Sequence, residues 1–279
     1  MFHAEKMNAK DFPFAVQLAN TMDWNTARED FEFMSSLEPD GCFVLFEAQE
    51  PVGIATCINY GRIGWFGSLA VKEEFRRRGA GTFLVKHAMN YLKDKGVEAI
   101  GLYAYQHLTG FYKRLGLKPD VDFSVLSGSS FPPVAEETLE IANRHDIPAL
   151  IEFDCQFFGG NRAKLLEPIL AKKGNLCYFS SRDSEIVGYV AAKVYDEMAE
   201  LGPLVCRQSS VDVAVALLKT ILSKLGNKEV FVYLPAAEKI LLEFLLNAGF
   251  REKFCVTRMF SGPRAGCNCI YLAESLERG

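Results

Sequence analysis

The chain has 279 residues, a net charge of −4, 49% hydrophobic residues and 24% charged residues. This composition excludes a disordered chain, and its acidic balance argues against a nucleic-acid partner. No apolar run approaches the roughly 18 residues of a membrane span and Met1–Phe12 lacks a signal peptide's apolar centre, so a cytoplasmic protein with no membrane partner and room for two domains is expected.

In chain order, Asp11–Met22 and Thr26–Ser35 read as short helices capped by Asp11 and Thr26 and broken at Asp23-Trp24-Asn25. Cys42–Ala48 and Val52–Tyr60 form a predicted hairpin, followed by a buried strand over Trp65–Val71. From Thr82, Leu84, Val85, Ala88, Tyr91 and Leu92 keep helical spacing up to a stop at Gly96. A strand over Val97–Ala104, a short helix through Phe111, Tyr112 and Leu115, and a strand near Asp122–Leu126 complete the first half. The polar, proline-bearing stretch Ser127–Pro133 reads as a linker.

The order of elements then repeats. Strands are expected over Thr138–Ala142, Leu176–Ser180, Ile186–Tyr195, Met198–Val205, Val230–Leu234 and, last, Phe254–Phe260. Helices are expected over Asp146–Phe158, Arg162–Lys172, Ser209–Leu225 and Ala237–Ala248. Cys42, Val52-Gly53 and Tyr60 recur as Cys177, Val187-Gly188 and Tyr195 at an offset of 135, and Phe111–Leu117 recurs as Phe244–Phe250 at 133. Two matches in order at nearly one offset point to an internal duplication. Eight cysteines without a secretion signal read as reduced thiols. Cys42, Cys57, Cys177 and Cys255 suit a core, while Cys267-Asn268-Cys269 lacks zinc-knuckle spacing and reads as a surface tail, with no metal expected.

The chemistry concentrates after Trp65–Val71. There a charged spacer leads to Arg76-Arg77-Arg78 and Gly79-Ala80-Gly81, which open a helix. Glycines let a ligand approach the backbone, the first helical amides have no internal partner, and the arginines add positive charge. Strand, glycine turn and helix together make a phosphate-binding arrangement. The second copy reads Ser209–Ala214 there, without glycine or arginine, and has Leu245 in place of Tyr112.

At these residues the chain resembles the GCN5-related N-acetyltransferases (GNAT). Arg76-x-x-Gly79-x-Gly81 fits the family's Q/R-x-x-G-x-G/A turn, and Phe111–Gly116 is similar to its LYEKLG stretch. The full chain resembles a tandem subgroup through Trp24-Asn25, Glu38–Val44, Phe158–Arg162 and Thr257-Arg258-Met259. Where that subgroup often carries LDAT, this chain has Leu102-Tyr103-Ala104-Tyr105, a phenol in place of a carboxylate.

The resemblance implies an α/β (α+β) fold of two tandem domains, each a mixed, mostly antiparallel sheet flanked by helices. Residues 1–126 would be catalytic, 127–133 a linker and 134–279 a degenerate copy. It further implies acetyl-CoA as acyl donor, with its pyrophosphate on the turn Arg76, Arg77, Arg78, Gly79, Ala80, Gly81 and Thr82. The pantetheine arm would lie as an extra strand beside Leu69, Ala70 and Val71. Tyr112 matches the family's general acid. Glu47, Asp23 and His107 are the candidate bases, and none stands out. Trp24, Tyr103, Tyr105, Arg162 and Arg258 are candidate substrate contacts, each equally readable as core or ion pair. Two functions remain open: an N-acetyltransferase acting on a small-molecule amine, and a non-catalytic CoA-binding sensor, as monomer or homodimer in either case.

Overall fold

The structure is a computed structural model and describes residues 1–129, 139–263 and 266–279. The first half contributes β1 (Phe2–Lys6), α1 (Phe12–Asn20), α2 (Arg28–Leu37), β2 (Cys42–Glu47), β3 (Glu50–Asn59), β4 (Ile63–Val71), α3 (Ala80–Asp94), β5 (Ala99–Tyr105), α4 (Thr109–Arg114) and β6 (Lys118–Ser129). The second half contributes β7 (Glu140–Ile141), α5 (Ile147–Phe158), α6 (Ala163–Ala171), β8 (Leu176–Arg182), β9 (Glu185–Val194) and β10 (Met198–Arg207). It ends with α7 (Val211–Lys224), β11 (Glu229–Pro235), α8 (Lys239–Asn247), β12 (Arg251–Ser261) and β13 (Cys269–Leu272).

The expected α/β architecture with a mixed sheet is present, and among the described residues its strands join in one sheet. Their order is β1-β2-β3-β4-β5-β12-β6-β11-β10-β9-β8-β7, with β13 on β10. Among the described residues only β4–β5 and β10–β11 pair in parallel within that sheet. The halves exchange strands at the centre: β12 from the second half pairs with β5, while β6 from the first pairs with β11. Each of these two strands also pairs with the other.

Amphipathic helices fix the two faces of the first half. In α3, Leu84, Val85, Ala88 and Leu92 are buried at helical spacing against β3 and β4, each full burial of a large side chain being worth about 1.5–3 kcal/mol. The helix is followed by Gly96 at φ +82°, a backbone that favours glycine. Helices α1 and α2 bury Phe12, Leu18, Phe31 and Met34 on the opposite face, together with Leu165 and Ile169 of α6. In the second half α7 and α8 cover one face and α5 the other.

Several sequence expectations need correction. Strand β1 was not expected, because its alternation is short and edge-like: Phe2 and Ala4 are half-buried while His3 and Glu5 are exposed. Ser127–Ser129, assigned to the linker, complete β6 by pairing with Phe231–Glu229. The rest of that stretch, and Thr138, lie outside the described residues. Helix α2 begins after Ala27 rather than Thr26, and the Asp30 carboxylate accepts the Ala27 N–H. Cys255 is only half-buried, whereas Cys206 is fully buried. Of the stretch read as a surface tail, Cys267 and Asn268 are exposed, but Cys269 is half-buried at the start of β13, and Ile270, Leu272 and Ala273 beyond it are completely buried.

One buried ion pair ties the second half together. Arg162, readable from sequence either as a substrate contact or as an ion pair, is fully buried and donates to both Asp154 carboxylate oxygens at 3.0 and 2.6 Å. It also donates to the Gly279 carbonyl at 2.6 Å and the Tyr271 hydroxyl at 3.1 Å, while Tyr189 donates to Asp154 at 2.6 Å. Every polar atom taken from water is thereby met, which is what makes such burial tolerable. Arg162→Ala would leave Asp154 charged and buried, so it should lower the unfolding free energy by about 3–5 kcal/mol in urea titrations. A loss below about 1 kcal/mol would show that the pair does not hold the half together.

Candidate active site

Strands β4 and β5 pair only from Ile63–Ala99 to Trp65–Gly101 and then part. On its other side β4 stays joined to β3, but with a bulge: Gly67 faces Thr56, Ala70 faces Ile54, and Ala55 alone spans Ser68 and Leu69. Ser68 sits at φ +46°, a left-handed backbone that re-aims the strand. Beyond Trp65 the β5-facing edge of β4 therefore carries main-chain groups with no strand beside them among the described residues. Leu69, Ala70 and Val71 lie on this stretch.

The stretch runs directly into the glycine turn. Arg76, Arg77, Arg78 and Gly79 are exposed, Arg77 lies at φ +60° and Gly79 at φ +91°, and Gly79 caps α3. No atom lies within 4 Å of a Cβ built on Gly79, so glycine is required here for its backbone angle rather than for space. The first amides of α3, at Ala80, Gly81 and Thr82, point out of the helix end where its dipole favours an anion. Arg76 donates to the Val71 carbonyl at 3.0 Å and braces the turn against the strand. Arg78 pairs with Glu47 at 3.0 Å, which commits that candidate base.

A cavity of about 230 Å³ occupies the gap between β4 and β5. It brings Leu69, Trp24, Tyr103, Tyr105 and Tyr112 to one space. Tyr112 of α4 is buried, and burial pushes its phenol above its ordinary pKa, so it stays protonated. Trp24 donates its indole N–H to the Tyr105 hydroxyl at 3.1 Å. Asp23 lines the cavity with an exposed side chain at φ +57°, and His107 is exposed and stacked on Tyr105. Arg162 and Arg258 do not line it. Arg258 bonds Asp120 at 2.7 Å and borders a second cavity of about 180 Å³ that shares Tyr103 as a wall.

Two family profiles match the chain: one described as acetyltransferase (GNAT) family over residues 8–117, the other as acetyltransferase (GNAT) domain over residues 150–268. The chain belongs to the GNAT family. It carries two copies of the domain in tandem, and it is an N-acetyltransferase by family. Holothin acyltransferase from Pseudoalteromonas sp. (strain SANK 73390) is 24% identical over 260 residues, covering 92% of this chain and 87% of the relative. A putative acetyltransferase from Pyrococcus horikoshii has the same fold, with a TM-score of 0.84 at 24% identity over 100% of this chain and 96% of that one. A tandem GNAT protein from the clavulanic acid biosynthesis pathway superposes with a TM-score of 0.63 at 13% identity, covering 95% of this chain and 100% of its own.

In the second GNAT copy the equivalent gap is filled by the chain itself. Met198 pairs with Glu229 as Ile63 pairs with Ala99, and β10 parts from β11 after Leu201. There β13 pairs antiparallel with Leu204–Arg207, positions that correspond at the same offset to Leu69 and beyond. The segment after β13 then crosses to the first copy. It packs Ala273 against Gly202, the counterpart of Gly67, and then lays Glu277 against Gly67 itself, where a Cβ would stand 2.5 Å from the Glu277 carbonyl oxygen.

Glu277, which lines the first cavity, is the residue that sequence reasoning missed. Its signal was the apolar run Ile270–Ala273, which marks a buried strand and so excludes a surface tail. The segment is firmly held: the Tyr60 hydroxyl donates to the Arg278 carbonyl at 3.0 Å and the Trp65 indole to the Leu276 carbonyl at 3.4 Å. Glu274 is buried between Lys193 and Arg278, which bonds it at 3.0 Å. Burial alone would raise the Glu274 carboxyl, but Arg278 and Lys193 outweigh it and hold its pKa at about 2. The folded value is thus depressed, so this contribution to stability is present above about pH 4.3 and is lost as pH falls toward 2. Thermal melting across pH 2–6 should show that acid loss, with a shallower slope in Glu274→Gln.

Proposed function

We propose that this enzyme transfers an acetyl group from acetyl-CoA to the primary amine of a small molecule by direct attack, with the chemistry in residues 1–126 and residues 134–279 as the degenerate copy. The observation that carries the reading is the open β4 edge leading without interruption into the glycine turn of α3, with Tyr112 buried in the same gap. An extended, amide-rich arm can add to such an edge as a strand does, bonding the main chain at Leu69, Ala70 and Val71. A pyrophosphate suits the amides from Arg77 to Thr82, with Arg76, Arg77 and Arg78 around them. The eight free cysteines agree with a reducing, cytoplasmic setting.

Acetyl-CoA supplies the activated thioester. The chain supplies the rest. A backbone N–H at the β4 bulge, near Leu69 or Ala70, polarises the carbonyl oxygen. Tyr112 Oη, kept protonated by burial, gives its proton to the departing sulfur. The aromatic walls at Trp24, Tyr103 and Tyr105 keep water from the reacting atoms.

Tyr112→Phe should lower kcat by about a hundredfold, followed as thiol release from acetyl-CoA with a panel of amines, while calorimetric CoA affinity is unchanged. Full activity in that variant would remove Tyr112 from the mechanism. Calorimetry should also give one CoA per chain, because β13 occupies the second gap. Tight binding without turnover on amines, polyamines or peptides would favour the sensor reading.

A further inference from the structure

We infer that Glu277 is the acceptor-side carboxylate of this site: it receives the ammonium group of a small aromatic monoamine and takes its proton. This deepens the acyltransferase reading above and rests on it. The inference stands on where the segment lies. The Glu277 backbone is fastened against Gly67, the bulge glycine of β4; the residue lines the cavity that Tyr112 closes from α4, and its charge acts on Tyr105 and Tyr233 of the same wall. Its carboxylate accepts its own backbone N–H, while the neighbouring cations are ion-paired elsewhere: Arg278 with Glu274, and Lys193 with Glu200 and Glu274.

The cavity around it selects for one kind of guest. Among the described residues that line it none is lysine, arginine or histidine, and its acids are Glu277 within and Asp23 at the rim. Its walls are aromatic, with Trp24 and Tyr105 from the first half and Tyr233 and Phe254 from the second. Flat rings beside a carboxylate suit a cation carried on an aromatic or apolar body, and they disfavour an anionic or highly polar acceptor. The about 230 Å³ available must also admit the thioester end, which limits that body to roughly a single ring.

Protons and bonds balance as follows. The Glu277 carboxylate takes one proton from the ammonium and frees the nitrogen lone pair. The C–N bond forms as the C–S bond breaks, and sulfur takes the Tyr112 proton. The second proton lost by nitrogen as the amide forms restores Tyr112, and Glu277 releases the first to solvent. Burial holds the Glu277 carboxyl above the usual range, against the pull of Arg278 and Lys193 and with Glu200 adding to the rise. Tyr105 of β5 and Tyr233 of β11 face the same charge, and Asp23 stands at the rim. As a base Glu277 must be ionised, so it places an acidic limb on kcat/KM above the ordinary carboxylate value of about 4.3.

The test uses the full chain, phenethylamine as probe and phenethyl alcohol as its uncharged counterpart. With acetyl-CoA, Glu277→Gln should lose about a hundredfold in kcat/KM near neutral pH and lose the acidic limb. The deficit should narrow toward alkaline pH, where free amine becomes abundant. Unchanged acetyl-CoA affinity and melting temperature would show the variant folded. Calorimetry should show phenethylamine binding the wild type about tenfold or more tighter than phenethyl alcohol, a preference absent from Glu277→Gln. Equal kcat/KM with the limb retained, or no cation preference in the wild type, overturns the inference. A wild type that binds acetyl-CoA but releases no thiol would instead defeat the acyltransferase reading, and the cation preference would still decide the role of Glu277.

Discussion

Strands β4 and β5 hold each other through pairs that end at Trp65 and Gly101, and the rest of the site follows from that early parting. A parallel pair that stays closed offers no free main chain, whereas one that opens leaves a row of amides and carbonyls facing a gap. Two packing constraints keep the opening in register. The Trp65 ring lies so close to Gly101 that any side chain there would collide with it, and the bulge at Ser68 turns the next residues of β4 away. Close fit below and a left-handed residue above make the gap a fixed feature of the sheet.

The strand exchange gives that gap its far wall. Because β12 lies against β5, the second half is built into the sheet around the opening rather than resting on top of it. Phe254 and Val256 of β12 and Val125 of β6 thereby reach the same cavity. The charged cluster of Lys193, Glu200, Glu274 and Arg278 then fastens the end of the described chain beside it. Buried charges of this kind cost heavily unless each has its partner, and here the partners come from β9, β10 and the segment itself.

Much of this was legible before any coordinates. Helix periodicity in α3, the glycine stop at Gly96 and the β2–β3 hairpin all depend on residues close in sequence, and local chemistry marks them. The Arg76–Gly81 turn was readable for the same reason. What escaped were features set by distant partners. Nothing near Lys118–Ser129 says that β6 will pair with β11 instead of β5, since the apolar pattern fits either neighbour. Arg162 could be read as substrate contact or ion pair because its partners, Asp154, Tyr271 and Gly279, come together only in the fold. Glu277 was hidden likewise: a glutamate beyond the last expected strand carries no local sign of the cavity it borders.

The two copies also differ at the equivalent edge, open beside β4 and covered by β13 beside β10. A strand tethered to its own chain competes for an edge at a high effective concentration, so a free ligand of ordinary affinity does not displace it. Where β13 lies on β10, the following turn around Ser209–Ala214 carries neither glycine nor arginine. The same stretch of backbone that closed the second gap runs on to border the first. The two gaps are therefore coupled through one segment, and a variant that reopened the second by withdrawing β13 would dismantle a wall of the first.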